Sequence, residues 1–200
     1  MIGTYTELQT AVGNWLNRSD LTARIPEFIQ LAEAEFNRTI WTPQSEEVAA
    51  VAANGALPSD FRAVRHVYIS SDPKTPLEQV SPSYLRLHYG DSTTGTPVVY
   101  SLINDTMAFG PLPATGLSAV LDYYQSIPAL ASNSTNWLLT AHPDIYLFGT
   151  LVQAEAFVWN DERLPVWRAG LTNALEQLDM AGNKRRWGGG PLIRKGTAFW

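Results

Sequence analysis

The sequence predicts an α+β protein: an antiparallel bundle of about four helices carries an inserted small antiparallel β domain and ends in an extended C-terminal tail. Three observations support this fold class. Apolar residues recur at helical spacing near both ends of the chain, the central stretch is rich in Gly, Pro, Ser, Thr and β-branched residues, and three consecutive glycines interrupt the last stretch. We therefore divide the chain into a helical hairpin (1–41), a β insertion domain (42–130), two further bundle helices (131–182) and an extended tail (183–200).

The first two predicted helices form a hairpin. Thr4 and Glu7 have the spacing of a capping box at the start of the first helix. After a short turn, Thr22 is expected to cap a second helix that has Pro26 in its first turn and ends near Ile40. Two amphipathic helices joined by a short turn are typical of an αα-hairpin.

The β insertion is predicted from short alternating segments separated by turn residues. A short helix is expected at 81–89, with Ser81 or Ser83 as its cap. The predicted strands cover 48–52, 64–69, 97–103, 107–109 and 119–125.

Helical patterns return after Ser132, with a short helical turn predicted at 135–140. Residues 144–159 are apolar nearly all round, which predicts a central, buried helix. The last helix is expected at 162–181. Its apolar residues step by three and four, which indicates packing against neighbouring helices; they are Leu164, Trp167, Leu171, Ala174, Leu178 and Ala181.

Composition bounds the class of protein. A hydrophobic content of 45% with 16% charged residues is sufficient for a packed core. The absence of cysteine excludes disulfides, thiolate metal sites and a cysteine nucleophile. No signal peptide and no membrane-spanning run of about 20 apolar residues is visible, so we expect a soluble product without membrane contact.

The chain offers no pattern typical of catalysis. His66, His88 and His142 are far apart and lack metal-ligand spacing. The glycines at 188–190 have a helix before them and a proline after them, whereas a phosphate loop needs a preceding strand and a following helix. We therefore expect neither an enzyme nor a cofactor.

The C-terminal tail has a charge opposite to the rest of the chain. Residues 183–200 hold five of the 14 basic residues and no acidic one, whereas residues 1–182 hold nine basic and 19 acidic residues, a balance of −10. Large aromatics beside arginines are typical of interface anchors. Weak nucleic-acid binding by the tail and an adventitious sticky end are the competing interpretations. The predicted partner-binding residues are Lys184, Arg185, Arg186, Trp187, Arg194, Lys195, Phe199 and Trp200.

A series of short motifs gives the chain a family resemblance. The motifs lie, in order, at 4–8, 25–35, 57–61, 109–111, 124–128, 136–139, 142–144 and 161–163. With this order of motifs, the chain resembles the head–tail adaptor (connector, head-completion) proteins of tailed bacteriophages, the kind that includes tail tubular protein A of short-tailed phages.

The resemblance implies a structural role in the neck of a virion, in a protein made in the host cytoplasm. Such adaptors form a homo-oligomeric ring, usually of twelve copies, under the portal protein. The helical bundle forms the wall, the C-terminal tail reaches the portal, and the β insertion faces the next tail or nozzle component. Viral DNA passes through the channel without sequence-specific binding.

Two further expectations follow. The first and last helices are expected to supply the contacts between copies, and Asp20, Glu33 or Glu35 are candidates to line the channel and repel DNA. The alternative function is a small receptor- or carbohydrate-binding tail protein. It requires an exposed aromatic cluster on one β face, for which the candidates are Tyr68, Tyr84, Tyr89 and Tyr100.

Overall fold

The computed structural model describes residues 1–51, 55–70, 74–90, 93–114, 117–157 and 162–188. Over these residues the fold is mixed α+β, with six α helices and mostly antiparallel sheets. The chain divides into two compact units: a helical unit of Met1–Gln44 and Ile127–Trp200, and a β unit of Ser45–Ser126. Across the described part of the chain, no helix has the length and apolar character needed to cross a membrane.

Five of these six helices lie in the helical unit, and α3 lies in the β unit. The helices are α1 (Tyr5–Leu16), α2 (Ile25–Thr39), α3 (Pro82–Tyr89), α4 (Trp137–Ala141), α5 (Pro143–Gln153) and α6 (Leu164–Trp187). A short 3-10 turn at Ser19–Arg24 precedes α2. A second 3-10 turn, at Ala154–Phe157, follows α5.

Helix α5 is the centre of the helical unit and packs against α1, α2, α4 and α6. Its Ile145, Tyr146 and Leu151 side chains are fully buried, as predicted. The predicted helix over 144–159 is too long, because α5 ends at Gln153, and Phe157 in the 3-10 turn that follows is 40% exposed. Gly149 lets α5 approach α2 closely: a Cβ at this position would lie 2.4 Å from Cζ of the buried Phe36 ring.

The start of α1 confirms the predicted capping box. The Glu7 N–H donates to Thr4 Oγ1 over 3.3 Å, and the Glu7 carboxylate accepts from the Thr4 N–H over 3.1 Å. The predicted cap at Thr22 is wrong, because the preceding residues continue as a 3-10 turn in which the Thr22 hydroxyl donates to the Ser19 carbonyl. Helix α2 then begins without a side-chain cap.

The β unit has nine short strands among its described residues. They are β1 (Glu46–Val51), β2 (Phe61–Ile69), β3 (Thr75–Pro76), β4 (Glu78–Gln79), β5 (Thr94–Gly95), β6 (Val99–Ile103), β7 (Thr106–Gly110), β8 (Leu112–Pro113) and β9 (Ala119–Gln125). The main sheet has the order β1-β9-β2-β3 and is antiparallel throughout, and the smaller sheets have the orders β4-β6-β7 and β5-β8.

One face of the main sheet carries the core of the β unit. Val67 lies opposite Leu121, and Ile69 opposite Ala119, so buried side chains from β2 and β9 share a face. Successive side chains of a strand point to opposite faces, so His66 and Asp122, which neighbour Val67 and Leu121, lie on the other face of the sheet. His66 is exposed there and lies opposite the half-buried Asp122.

Candidate partner-binding surface at the end of the last helix

Helix α6 has one buried face and one exposed face. Trp167, Leu171, Ala174 and Leu178 are buried in the core of the helical unit. The apolar stripe predicted to meet neighbouring helices therefore packs, at these four residues, within the same chain. The exposed face of α6 and its C-terminal turn are accessible to partners.

The last helix is six residues longer at its C-terminal end than the sequence predicts. The predicted end is Ala181, but the helix continues to Trp187, so 183–187, which were assigned to the extended tail, are helical. Lys184, Arg185 and Arg186 occupy the last turn, where cations interact favourably with the negative end of the helix dipole and with carbonyl groups that lack helical partners.

The structure brings four of the predicted partner-binding residues together on this turn. Lys184, Arg185 and Trp187 are exposed, Trp187 to 57%, and Arg186 is half-buried. The other four predicted residues, Arg194, Lys195, Phe199 and Trp200, lie outside the described residues. The described part of the surface is thus an indole beside a cluster of three cations.

The segment that follows α2 runs past the C-terminal part of α6. A Cβ at Gly182 would lie 3.2 Å from Pro43 Cδ, so α6 approaches this segment closely. A cavity of about 120 Å³ is lined on one side by Trp41 and Thr42 and on the other by Leu175 and Leu178. Trp41 is 43% exposed, and its indole N–H donates to the Arg38 carbonyl over 3.2 Å.

Glu33, one of the three candidate channel acids, lies in the interior of the helical unit. Its Oε1 accepts from the Leu130 N–H over 2.8 Å and from the Tyr146 hydroxyl over 3.2 Å. Burial raises the pKa of this carboxyl, and the two hydrogen bonds oppose that shift. The hypothesis that Glu33 lines a channel is therefore wrong, because its carboxylate faces the core.

A buried hydrogen-bond network extends from Glu33. The Asn136 side-chain amide donates to the Tyr146 hydroxyl over 2.6 Å and to the Pro128 carbonyl over 2.8 Å, while its Oδ1 caps α4 through the Leu139 N–H. Burial raises the pKa of the Tyr146 hydroxyl. The network fixes the segment that leads from β9 back to the helices.

The other two candidate channel acids lie nearer to solvent. Asp20 is exposed and forms an ion pair with Arg18 over 2.5 Å, an interaction that lowers the pKa of the carboxyl. Glu35 is half-buried and accepts from Gln153 Nε2 over 2.6 Å.

The aromatic cluster required for a carbohydrate-binding face does not form from the four candidate tyrosines. Tyr100 is buried on β6, and Tyr89 on α3 packs beside Gly110. Tyr84 on α3 stacks on His88 with 4.0 Å between ring centroids. Tyr68 on β2 contacts Lys74, whose Nζ lies 4.5 Å from the ring centroid. The four side chains thus lie on three different elements and share no single exposed β face.

The three histidines also lie apart. His66 is on β2, His88 is on α3, and His142 immediately precedes α5. Among the residues with described positions, no group of three His, Asp or Glu side chains has an arrangement that could hold a metal ion.

A mixed α+β chain with an exposed, basic and aromatic helix end is suited to protein assembly. SU10 adaptor proteins match residues 3–195, and the chain therefore belongs to this family of phage head–tail adaptors. Its family makes it a structural component of a bacteriophage virion. No curated protein matches the chain.

Proposed function

We propose that this protein joins the portal to the tail as a homo-oligomeric ring, of twelve copies by family resemblance, that surrounds the DNA channel. The observation that carries this proposal is the match to SU10 adaptor proteins over nearly the whole chain, residues 3–195. The helical unit, as an antiparallel bundle, forms the ring wall, and the β unit faces the next tail or nozzle component.

The end of α6 and the residues after it form the portal-docking segment in this proposal. Lys184 and Arg185 provide exposed positive charge, and Trp187 provides a large apolar anchor. Arg194, Lys195, Phe199 and Trp200 continue the same composition in the sequence. Charged residues at an interface contribute mainly to association rate and specificity, whereas buried aromatics contribute most of the affinity.

Charge separation within the chain supports this division of roles. Residues 1–182 carry −10 and residues 183–200 carry +5. A ring of such copies has an acidic body, which favours free passage of DNA over binding to it. The basic segment is then available for a protein partner, with the portal as the first candidate.

Two truncations test the docking role, because the segment has a helical part and a part beyond the helix. Removal of 189–200 leaves α6 intact, and removal of 184–200 also removes its basic turn. Both proteins are expected to keep the circular dichroism spectrum and unfolding midpoint of a folded protein. The protein without 189–200 should cosediment more weakly with portal-bearing heads. The protein without 184–200 should no longer cosediment with them.

Electron microscopy of the same heads tests the ring directly. The full-length protein should add a ring of density at the portal vertex, and the 184–200 truncation should leave that vertex bare. Normal ring density with the longer truncation would contradict the docking role of this segment.

A further inference from the structure

The exposed face of α6 carries a line of apolar side chains separate from its buried stripe. Val166, Met180 and Trp187 are 66%, 68% and 57% exposed, and Asn173 lies between the first two. These positions are seven residues apart, nearly two helical turns, so they form one line about 32 Å long. We call these four residues the outer line of α6. Such a line on a helix surface is typical of a contact with a second helix.

Helix α2 has an exposed row that matches part of this line. Leu31 is 52% exposed, and Ala34 follows it on the same face. Glu27 and Arg38 are exposed at the two ends of the row. The opposite face of α2 is buried in the helical core, as Phe28 and Phe36 show. We call Glu27, Leu31, Ala34 and Arg38 the outer row of α2.

We propose that the outer line of α6 in one copy packs antiparallel against the outer row of α2 in a second copy, with Met180 against Leu31. This inference rests on the proposed function, because it names the contact between copies of the ring. The line and the row are different surfaces of the same unit. The contact is therefore head-to-tail, and repetition of such a contact closes into a ring when the rotation fits.

Charge complementarity between the two exposed surfaces supports a second copy as the partner and favours antiparallel helices. With Met180 opposite Leu31 in antiparallel helices, Lys184 lies opposite Glu27, because each is four residues from the central pair. By the same count Arg38 lies opposite Asn173, about one turn from Glu176, an offset that two long side chains can span. Glu176 is level with Glu35, whose half-buried carboxylate accepts from Gln153 Nε2 in its own chain. Parallel packing would instead place Glu176 opposite Glu27, which is unfavourable. Both pairs join residues that are exposed in the single chain.

The absence of native cysteine makes a direct test possible. Leu31→Cys and Met180→Cys are introduced together into the full-length protein, which is assembled on portal-bearing heads and oxidised. We expect a ladder of disulfide-linked oligomers on a non-reducing gel. Each single variant should give no ladder. The matched control pairs Met180→Cys with Asn14→Cys, an exposed position on α1, and should also give none.

Charge reversal provides a second test that avoids the portal-docking residues. Arg38→Glu and Glu176→Arg should each weaken association between copies about fivefold, and the double variant should restore it. Association is measured as the protein concentration required to fill the heads. Met180→Asp, at an exposed position, should leave the unfolding midpoint unchanged and lower the number of copies per head.

The outcomes separate this inference from the proposed function. A ring that forms on the heads without cross-links, and without a response to Met180→Asp, would overturn the contact and leave the ring intact. Cross-linking of the Met180→Cys variant to the portal or to another virion protein would also overturn it. Heads that bind the protein without multiple copies would overturn both proposals.

Discussion

The two faces of α6 present the same residue type in opposite environments. Trp167 is 2% exposed and lies in the helical core, where the Arg163 guanidinium carbon sits 5.0 Å from the ring centroid. Trp187, on the same helix, is 57% exposed. The spacing of apolar residues identifies which side chains share a face, but it does not reveal whether that face meets the same chain or another. The comparison separates residues that fold the chain from residues available for assembly.

The largest effect should come from the buried face. Trp167→Ala removes a fully buried indole and leaves a cavity, so we expect a loss of about 3–5 kcal/mol in the free energy of unfolding. Urea denaturation measures the change. Trp187→Ala is the matched control on the exposed face and should change stability by less than about 0.5 kcal/mol. Similar losses for both variants would break the comparison between the two faces.

The buried carboxylate of α2 should give the next largest effect. Glu33→Ala leaves the Leu130 N–H and the Tyr146 hydroxyl without their acceptor. Each unsatisfied group costs about 1–3 kcal/mol, so we expect a loss of about 2–4 kcal/mol in urea denaturation. Glu33→Gln keeps an acceptor oxygen and should lose less. Glu27→Ala, at an exposed position of the same helix, is the control and should have little effect.

The same carboxyl should give the stability a pH dependence. Burial raises the pKa of Glu33 above its ordinary value of 4.5. The folded protein therefore holds this proton more tightly than the unfolded chain. The contribution of the protonated Glu33 carboxyl to stability is therefore complete below about pH 4.5. It is lost as the pH rises through the raised pKa of the folded protein. As the pH is lowered from about 7 to about 4.5, the free energy of unfolding of the wild type should rise relative to that of Glu33→Gln. A difference between the two proteins that stays constant over this range would contradict the raised pKa.

These residues show how far the sequence could predict the fold. Local signals succeeded: the spacing of Thr4 and Glu7 predicted their capping box, and strand β9 has the predicted bounds 119–125. Glu33 was misassigned because its partners, Leu130 and Tyr146, lie 97 and 113 residues away in the chain. Helical periodicity places a residue on a face, but it cannot show which distant segment covers that face.

The candidate site was predicted in composition but not in shape. The basic and aromatic residues were identified from their charge and type, and four of them lie together on the last turn of α6. The last helix was predicted to end at Ala181, but Gly182 lies inside α6 although glycine disfavours a helix interior. The structure places Gly182 where α6 passes Pro43 closely, so a small residue fits that contact.

The outer line of α6 was overlooked, although its seven-residue spacing is visible in the sequence.

A close helix contact should give the third largest effect. A Cβ at Gly149 would lie 2.4 Å from Cζ of Phe36, whose ring is fully buried and has little room to move. We expect Gly149→Ala to lower the free energy of unfolding by about 1–3 kcal/mol through overpacking. Gly170→Ala is the matched control, since its Cβ would lie 3.0 Å from the half-buried Phe148 ring. A larger loss at 170 than at 149 would contradict the close α2–α5 contact.

The smallest effect on stability should come from the basic end of α6. Replacing Lys184 and Arg185 by Gln removes two exposed cations from the last helical turn, where each favourable dipole interaction is worth about 0.3–1 kcal/mol at low salt. We expect a total loss of about 0.6–2 kcal/mol at low salt for the two cations, and a smaller one as salt screens the charges. The unfolding midpoint in urea at about 50 and 300 mM salt measures this difference.

Binding to portal-bearing heads should respond differently to the same substitutions. If Lys184 and Arg185 dock the chain through their charges as proposed, their removal should weaken binding at about 50 mM salt and matter little at about 300 mM. Trp187→Ala removes an apolar contact, and its effect should be similar at both salt concentrations. If both variants lost binding equally at each salt concentration, the cations and the indole would not have separate roles. A salt-dependent loss restricted to the cation variant would instead show that the exposed end of α6 recognises its partner by charge and holds it through the aromatic anchor.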